Sequence, residues 1–280
     1  MNRLEVLATG PLTTVQDRGR PGFAAIGVPR AGALDRGAAA QALRLVGAAP
    51  SAAVLESLLG GLEVRVRDAC WAAVTGAVAA VEVEGRPVPW GRAVRVPAGA
   101  RLRVGTASHG LRTYLAIGGG VALPPVLGSR ATDTLAWVGP PAIAVGDVLP
   151  LDAAAGPPGI GDALPPVTAP ILRLHPGPHA GRFADGVLDG LLGAAYRVAS
   201  DSDRIGLRLH GPAIARTAAE LPSEGMVLGA VQVPPDGQPV VFLADHPTTG
   251  GYPVVGVVDP RDVDRCAQVR PGDVVRFARA

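Results

Sequence analysis

The sequence predicts a mainly β protein with a few short helices, laid out as two related β domains in tandem. Three observations lead there. Short apolar runs alternate with polar residues along the 280-residue chain and are cut repeatedly by turn formers, among them 38 glycines and 28 prolines. The stretch 223–252 reads as a β-hairpin, because Val227, Gly229, Val231 and Val233 alternate against Leu228, Ala230 and Gln232 before a Pro-Pro-Asp-Gly turn and a second apolar run over 240–244. The halves also echo one another: Tyr114, Leu115, Ala116 matches Phe242, Leu243, Ala244, and Gly146, Asp147, Val148 matches Gly272, Asp273, Val274. Tandem related domains are the economical explanation, and chance similarity in a Gly/Val-rich chain is the alternative.

Taken in order, a short strand over 6–10 runs into a polar turn over 12–19 held by Gly19, Pro21 and Gly22, either a binding loop or a solvated turn. Asp35 is placed to cap a helix whose Ala39, Leu43 and Val46 share a face before Gly47 ends it. Ser51 can cap a second, shorter helix carrying Leu55, Glu56 and Leu58. From 62 to 104 the pattern is β, in runs at 62–66, 70–74, 79–83, 93–96 and 101–104, which suggests a barrel or sandwich. A strand over 112–118 leads into Gly119 and Gly120, but Pro124 and Pro125 forbid the helix that a dinucleotide loop requires. A second dense polar loop follows over 127–133, and Gly146, Asp147, Val148 and Leu149 close this half. The first domain is expected over 1–155, a Pro/Gly-rich linker over 156–170 and the second domain over 171–280. There a strand at 172–174 precedes His175 and His179, whose Pro-Gly-Pro spacer denies them a shared helix face, so no metal site is expected. A helix over 183–192, a charged loop over 200–206, a helix started by Asp259 and Pro260 that runs through Gln268, and a last strand over 271–277 complete the chain.

Composition excludes several functions. All 26 basic residues are arginine. A chain without lysine has no Walker-type phosphate lysine, no Schiff base, no lysine general base and no attachment point for biotin or lipoyl, so any such cofactor arrives on another polypeptide. The net charge of +2 and the interleaving of arginines with apolar residues give no nucleic-acid footprint. Uncharged runs such as residues 69–81 fall short of the ~20 residues that span a bilayer, and Arg3 and Glu5 interrupt the place of a signal-peptide core. A cytoplasmic, membrane-free protein is expected. Cys70 and Cys266 sit in apolar or helical surroundings and read as buried small hydrophobes.

Chemistry gathers where the hairpin ends. Asp245, His246, Pro247, Thr248, Thr249, Gly250, Gly251 and Tyr252 follow a buried strand directly. Adjacent glycines permit positive φ, so their amides can turn toward one point as an anion-binding nest with the threonine hydroxyls as further donors. The plainer alternative is a tight turn whose threonines bond their own backbone. A Ser-His-Asp hydrolase built on Ser223 is disfavoured, because no Gly-x-Ser-x-Gly elbow exists and Ser223 follows a proline.

Together the polar loops resemble a known family. VQDRGRPG at 15–22, GVPRAGALD at 27–35, VLGSRATDTL at 126–135, SDRIGLRL at 202–209, SEG at 223–225 and TTGGY at 248–252 resemble the family of 5-oxoprolinase C subunits, also called KipA or allophanate hydrolase subunit 2. That family is related to part of the carboxyltransferase domain of urea carboxylase. The resemblance runs from about residue 4 to residue 277 with the motifs in order. It implies two tandem cyclophilin-like β-barrel domains, and two partners: a KipI-like protein, which is the B component of such an enzyme, and a LamB/YcsF-like protein, its A component. The implied work is on an amide or lactam: ATP-dependent opening of 5-oxo-L-proline to L-glutamate, carboxyl transfer to a urea-like amide from biotin held on another chain, or non-catalytic antagonism of a KipI-like kinase inhibitor. ATP would be shared with or bound by the partners. Members often carry Gln where this chain has Pro247.

On this reading the polar loops of both domains are expected to converge on one cleft. Arg130 and Arg204 are expected to grip a substrate carboxylate or phosphate, or else to sit in structural ion pairs. Thr248, Thr249 and the amides of Gly250 and Gly251 would stabilise developing negative charge. Glu224, Asp245 and His246 are the acid/base candidates, and Gln232 and Tyr252 would orient substrate.

Overall fold

The computed structural model describes residues 2–168, 170–216 and 221–280. The chain forms two compact units: one is Met1–Arg20, Ala31–Asp133 and Trp137–Pro166, the other Pro21–Arg30, Thr134–Ala136 and Val167–Ala280. Two short pieces of the N-terminal half thus belong to the second unit. The stretch 156–170, expected as a linker, lies along the first unit as far as Pro166: Gly159 N donates to Leu45 O at 2.9 Å and Ala163 N to Gly91 O at 2.8 Å. Residue 169 of that stretch lies outside the described residues.

In the first unit, β1 (Arg3–Thr9), β2 (Leu12–Gln16), β3 (Val54–Leu58), β4 (Leu62–Val66), β5 (Cys70–Val83), β6 (Arg86–Val88), β7 (Val94–Val96), β8 (Arg101–Ile117) and β9 (Val148–Pro150) make one nine-stranded sheet. Its spine is β8. One edge of β8 pairs with β5, while the other pairs first with β4 (Arg103↔Glu63) and then with β3 (Leu115↔Leu55). So long a strand pair must bend, and its register shifts between Gly76 and Val81. Gly76 has φ 77°, and a Cβ there would run into the Arg112 carbonyl oxygen, so only glycine fits the bend. The period-two pattern at 62–66 is realised directly: Leu62, Val64 and Val66 enter the core and Arg65 faces outward. Helix α1 (Arg36–Leu45) is capped as expected, Asp35 Oδ1 accepting from Ala38 N at 2.9 Å, and Ala39, Leu43 and Val46 pack with Ala73 and Tyr114.

Two expectations fail here for one physical reason. The helix expected after Ser51 is β3, and half of the polar turn expected over 12–19 is β2. Both are buried strands with polar side chains, β2 at the sheet edge and β3 between β2 and β8, so polar spacing that looked like a helix cap and a solvated turn is instead satisfied by partners distant in sequence. Thr13 Oγ1 and Ser57 Oγ lie 2.7 Å apart, and Glu56 Oε2 accepts Leu34 N at 2.9 Å.

The second unit holds a closed barrel of β10 (Ile171–Pro176), β11 (Ala195–Val198), β12 (Gly206–His210), β14 (Ala230–Gln232), β15 (Val240–Phe242), β17 (Val254–Val258) and β18 (Val274–Arg279), in the order β10-β17-β14-β15-β12-β11-β18. Closure is by the parallel pairing of β10 with β18. A separate two-stranded ladder joins β13 (Glu224–Gly225) to β16 (Thr249–Gly250). The expected hairpin is β14 and β15, with Val231↔Val241 and Gln232↔Val240 in register and the turn closed by Gly237 N to Pro234 O at 3.0 Å. Val231, Val233 and Val241 are buried in the barrel, while Ala230, Val240 and Phe242 point the other way and pack with Met226 and Val254. The helix expected over 183–192 is shorter: a 3-10 turn at Ala180–Arg182, then α2 (Val187–Gly193), with Phe183 instead bridging to Arg216. The last helix is α3 (Pro260–Val263) continued by a 3-10 turn, Asp264–Ala267. Both cysteines are buried and free, and burial pushes the thiols of Cys70 and Cys266 up to about 11 and about 12. No helix among the described residues is long and apolar enough to cross a membrane.

Candidate functional site

Three of the polar motifs meet within the first unit around two side chains. Asp17 Oδ1 accepts Gly19 N at 2.7 Å and Ser129 Oγ at 2.6 Å, while Oδ2 accepts Arg130 N at 2.7 Å; Ala33 N donates to Asp17 O at 2.9 Å. Arg20, fully buried, donates to the carbonyls of Ala131 and Val126. Arg130 donates through Nε to Leu123 O at 2.7 Å, and its Nη2 stands 3.9 Å from Asp152 Oδ2. Of the two readings open for Arg130, this geometry is that of a tether within its own loop. Neither Asp17 nor Arg20 was singled out from the sequence, although both sit in a motif that was, flanked by glycines that mark a tightly folded loop.

In the second unit the structure corrects two assignments. Arg204 grips Asp245 with its fork, Nε to Oδ2 and Nη2 to Oδ1 both at 2.9 Å, and both side chains are buried. Asp245 Oδ2 also accepts Thr134 N at 2.9 Å and Thr134 Oγ1 at 2.7 Å. Arg204 is therefore committed to a structural ion pair rather than to substrate. Asp245, a buried carboxylate wrapped in donors, is an anchor and not a proton-transfer group.

The nest is also corrected. Neither Gly250 nor Gly251 has a positive φ, and Gly250 is extended, paired with Glu224 in the β13–β16 ladder. Glycine is needed there for a different reason: a Cβ on Gly250 would lie 2.9 Å from Gln232 Nε2 and 3.2 Å from Met226 Cγ. That approach lets Gln232 Nε2 donate to Tyr252 O at 3.1 Å. The Thr248 and Thr249 hydroxyls make no hydrogen bond among the described residues, so they do not bond their own backbone as the plainer reading supposed, and Thr249 is exposed.

His246 is the most clearly prepared of the expected groups. Its ring stacks on Phe242, centroids 5.7 Å apart and planes 4° from parallel, at the end of β15. Nδ1 stands 2.7 Å from Pro247 O, an acceptor, so Nδ1 carries the proton and the Nε2 lone pair faces away without a partner among the described residues. Burial pushes this imidazole below its ordinary value, against smaller opposing effects of the Pro247 carbonyl and the Asp245 charge. The outcome is an oriented imidazole biased toward its neutral form. Pro247 thus contributes through its carbonyl rather than its side chain.

Glu224, exposed on β13, has a partner the sequence did not suggest. His179 Nδ1 accepts Val254 N at 3.0 Å, which leaves the proton on Nε2, 3.1 Å from Glu224 Oε1. His179, considered from sequence only as a metal ligand, holds this carboxylate in place. Tyr252 is exposed, with the Arg216 guanidinium 5.8 Å above its ring. Among the described residues, no group of three or more His, Cys, Asp or Glu side chains could hold a metal ion.

The second unit thus carries an oriented histidine after β15 and, on the separate β13–β16 ladder, an exposed threonine and a tethered carboxylate. The chain belongs to the carboxyltransferase domain family, subdomains A and B, which it matches over residues 26–279. Within it, the chain is 35% identical to the C subunit of 5-oxoprolinase from Escherichia coli (strain K12), covering 99% of this chain and 91% of that one. It is 31% identical to the protein of the same name from Haemophilus influenzae, over 98% of this chain and 90% of that one. Urea amidolyase of Lachancea kluyveri is 32% identical, but this chain spans only 17% of it. Among solved structures, the crystal structure of TTHA0988 superposes with a TM-score of 0.90 at 37% identity, covering 99% of this chain and 55% of that chain, about half its length. The Kluyveromyces lactis urea amidolyase matches with a TM-score of 0.91 at 28% identity, over 99% of this chain and 18% of that chain.

Proposed function

We propose that this chain is the C subunit of an ATP-dependent 5-oxoprolinase, opening 5-oxo-L-proline to L-glutamate together with a KipI-like partner and a LamB/YcsF-like partner. The observation that carries this reading is coverage: the chain matches 91% and 90% of two proteins named as 5-oxoprolinase C subunits, against 17% of a urea amidolyase.

The chemistry asked of such a component is modest and suits the groups present. Opening a lactam needs an acceptor for a proton from attacking water and donors for the carbonyl oxygen as charge builds on it. His246 Nε2 is the acceptor, and the Thr248 and Thr249 hydroxyls are the donors. As the C–N bond breaks, the proton taken up by His246 passes to the departing nitrogen, and Glu224, steadied by His179, accepts a hydrogen bond from the amine that results. The donor set does not fit a triphosphate cradle, since the paired glycines lack positive φ and no lysine is present, so ATP falls to the partner proteins in this reading.

A second reading is favoured by the family itself: a carboxyltransferase component acting on a urea-like amide. Here too the chain can only receive biotin carried by another polypeptide, because it has no lysine to attach it. One experiment separates the two. ATP hydrolysis dependent on 5-oxo-L-proline is measured with the chain alone, with its KipI-like partner, and with the KipI-like and LamB/YcsF-like partners together; urea-dependent carboxyl transfer from a biotinyl carrier is run in parallel. Turnover of 5-oxo-L-proline only in the full mixture supports the proposal, and carboxyl transfer to urea in its place overturns it.

A further inference from the structure

With Arg204 locked to Asp245 and Arg130 tied to its own loop, the substrate carboxylate implied by the 5-oxoprolinase reading has lost both expected partners. Arg216 has the properties those two lack. Its backbone is fixed by a bridge to the buried Phe183, and its guanidinium lies 5.8 Å over the exposed ring of Tyr252. Its Nε is sealed from solvent without a hydrogen-bond acceptor, the side chain as a whole is half-buried, and the terminal nitrogens have no partner among the described residues. Tyr252 in turn is bound to the site, since its carbonyl accepts Gln232 Nε2 and Val254, two residues on, donates to the histidine that holds Glu224.

Physically this is an anion site waiting for its anion. A guanidinium laid on an aromatic face keeps its planar fork in one orientation, so little entropy is lost when a carboxylate meets it. With Nε dry and without an acceptor, part of the guanidinium's hydration is already gone, so less is lost when a carboxylate displaces water from the terminal nitrogens. We infer that Arg216, seated on Tyr252, is the residue that recognises the substrate carboxylate through its terminal nitrogens. The inference rests on the 5-oxoprolinase reading for the identity of that substrate, but not for the class of ligand.

The test follows the side-chain Nε–H resonance of Arg216, assigned by its loss in Arg216→Lys, during titration of the protein with 5-oxo-L-proline, with formate, and with 2-pyrrolidinone, the same lactam without its carboxylate. The resonance should move with the two carboxylates and stay still with 2-pyrrolidinone. Binding of 5-oxo-L-proline should weaken about tenfold or more in Arg216→Lys, which keeps the charge but not the fork. Tyr252→Leu, which removes the aromatic face beneath the guanidinium, should also weaken binding. A resonance indifferent to both carboxylates, or Arg216→Lys binding within about twofold of wild type, overturns the assignment. A resonance that responds to carboxylates in a protein whose full complex leaves 5-oxo-L-proline intact keeps Arg216 as a carboxylate site and overturns the 5-oxoprolinase reading instead.

Discussion

Two buried polar side chains in the second unit behave oppositely, and the difference lies in how many partners each has. Asp245 accepts from both arms of Arg204 and twice from Thr134, so nothing remains for chemistry. Removing one partner leaves a buried charge uncompensated. Arg204→Met should therefore cost about 3–5 kcal/mol in urea unfolding, and a loss within about 1 kcal/mol would show that the pair is not structural. His246 instead keeps one nitrogen without a partner among the described residues. His246→Asn in the assembled complex should lower kcat by about a hundredfold or more if Nε2 is the proton acceptor. Its lowered pKa also has a sign for stability: the unfolded chain takes up a proton at about pH 6.5, where the folded chain still resists it. The stability contributed above that pH is lost as pH falls through it toward the folded value. Melts between about pH 8 and pH 5 should show a shallower decline for His246→Phe than for wild type.

At the scale of an element, the decisive feature is the short ladder between Glu224–Gly225 and Thr249–Gly250. It turns what reads as a glycine-rich nest into extended chain, and in doing so leaves the Thr249 side chain exposed. Thr249→Val keeps the β-branched shape that suits a strand and removes only the hydroxyl. Turnover of the assembled enzyme should fall by about tenfold or more with the melting temperature unchanged, and unaltered kinetics would reduce this tip to structure alone. Gly250→Ala tests the packing beneath. The added methyl meets Gln232 Nε2 and Met226, displacing the bond to Tyr252 O, and should destabilise by about 1–3 kcal/mol.

For the molecule as a whole, the chemistry available is less than either reaction needs. There is no lysine to hold nucleotide phosphates or carry biotin, and the glycine pair expected to cradle an anion has no positive φ. The isolated chain should show no 5-oxo-L-proline-dependent ATP hydrolysis, activity appearing only with its partners. Turnover by the lone chain would refute this.

The sequence by itself determined what depends on near neighbours along the chain. The alternation at 62–66, the Asp35 cap, the Asp259–Pro260 helix start and the hairpin turn at 234–237 are each written in a few adjacent residues and formed where expected, whereas the alternation expected from Val227 to Val233 is strand only over Ala230–Gln232, the chain turning at Gly229. Lysine's absence is equally local knowledge, and so was the order of motifs that pointed to the family. What only the tertiary structure decided is which polar residues have partners. Ser51 and the threonines at 13 and 14 carried helix-cap and turn chemistry, yet neighbours distant in sequence drew those stretches into a sheet. The rivals for a catalytic role, Asp245 and His246, are adjacent in sequence and share one environment of residue types. They part company because Arg204 and Thr134 reach one and not the other. Partnership of that kind is long-range, and no local pattern encodes it.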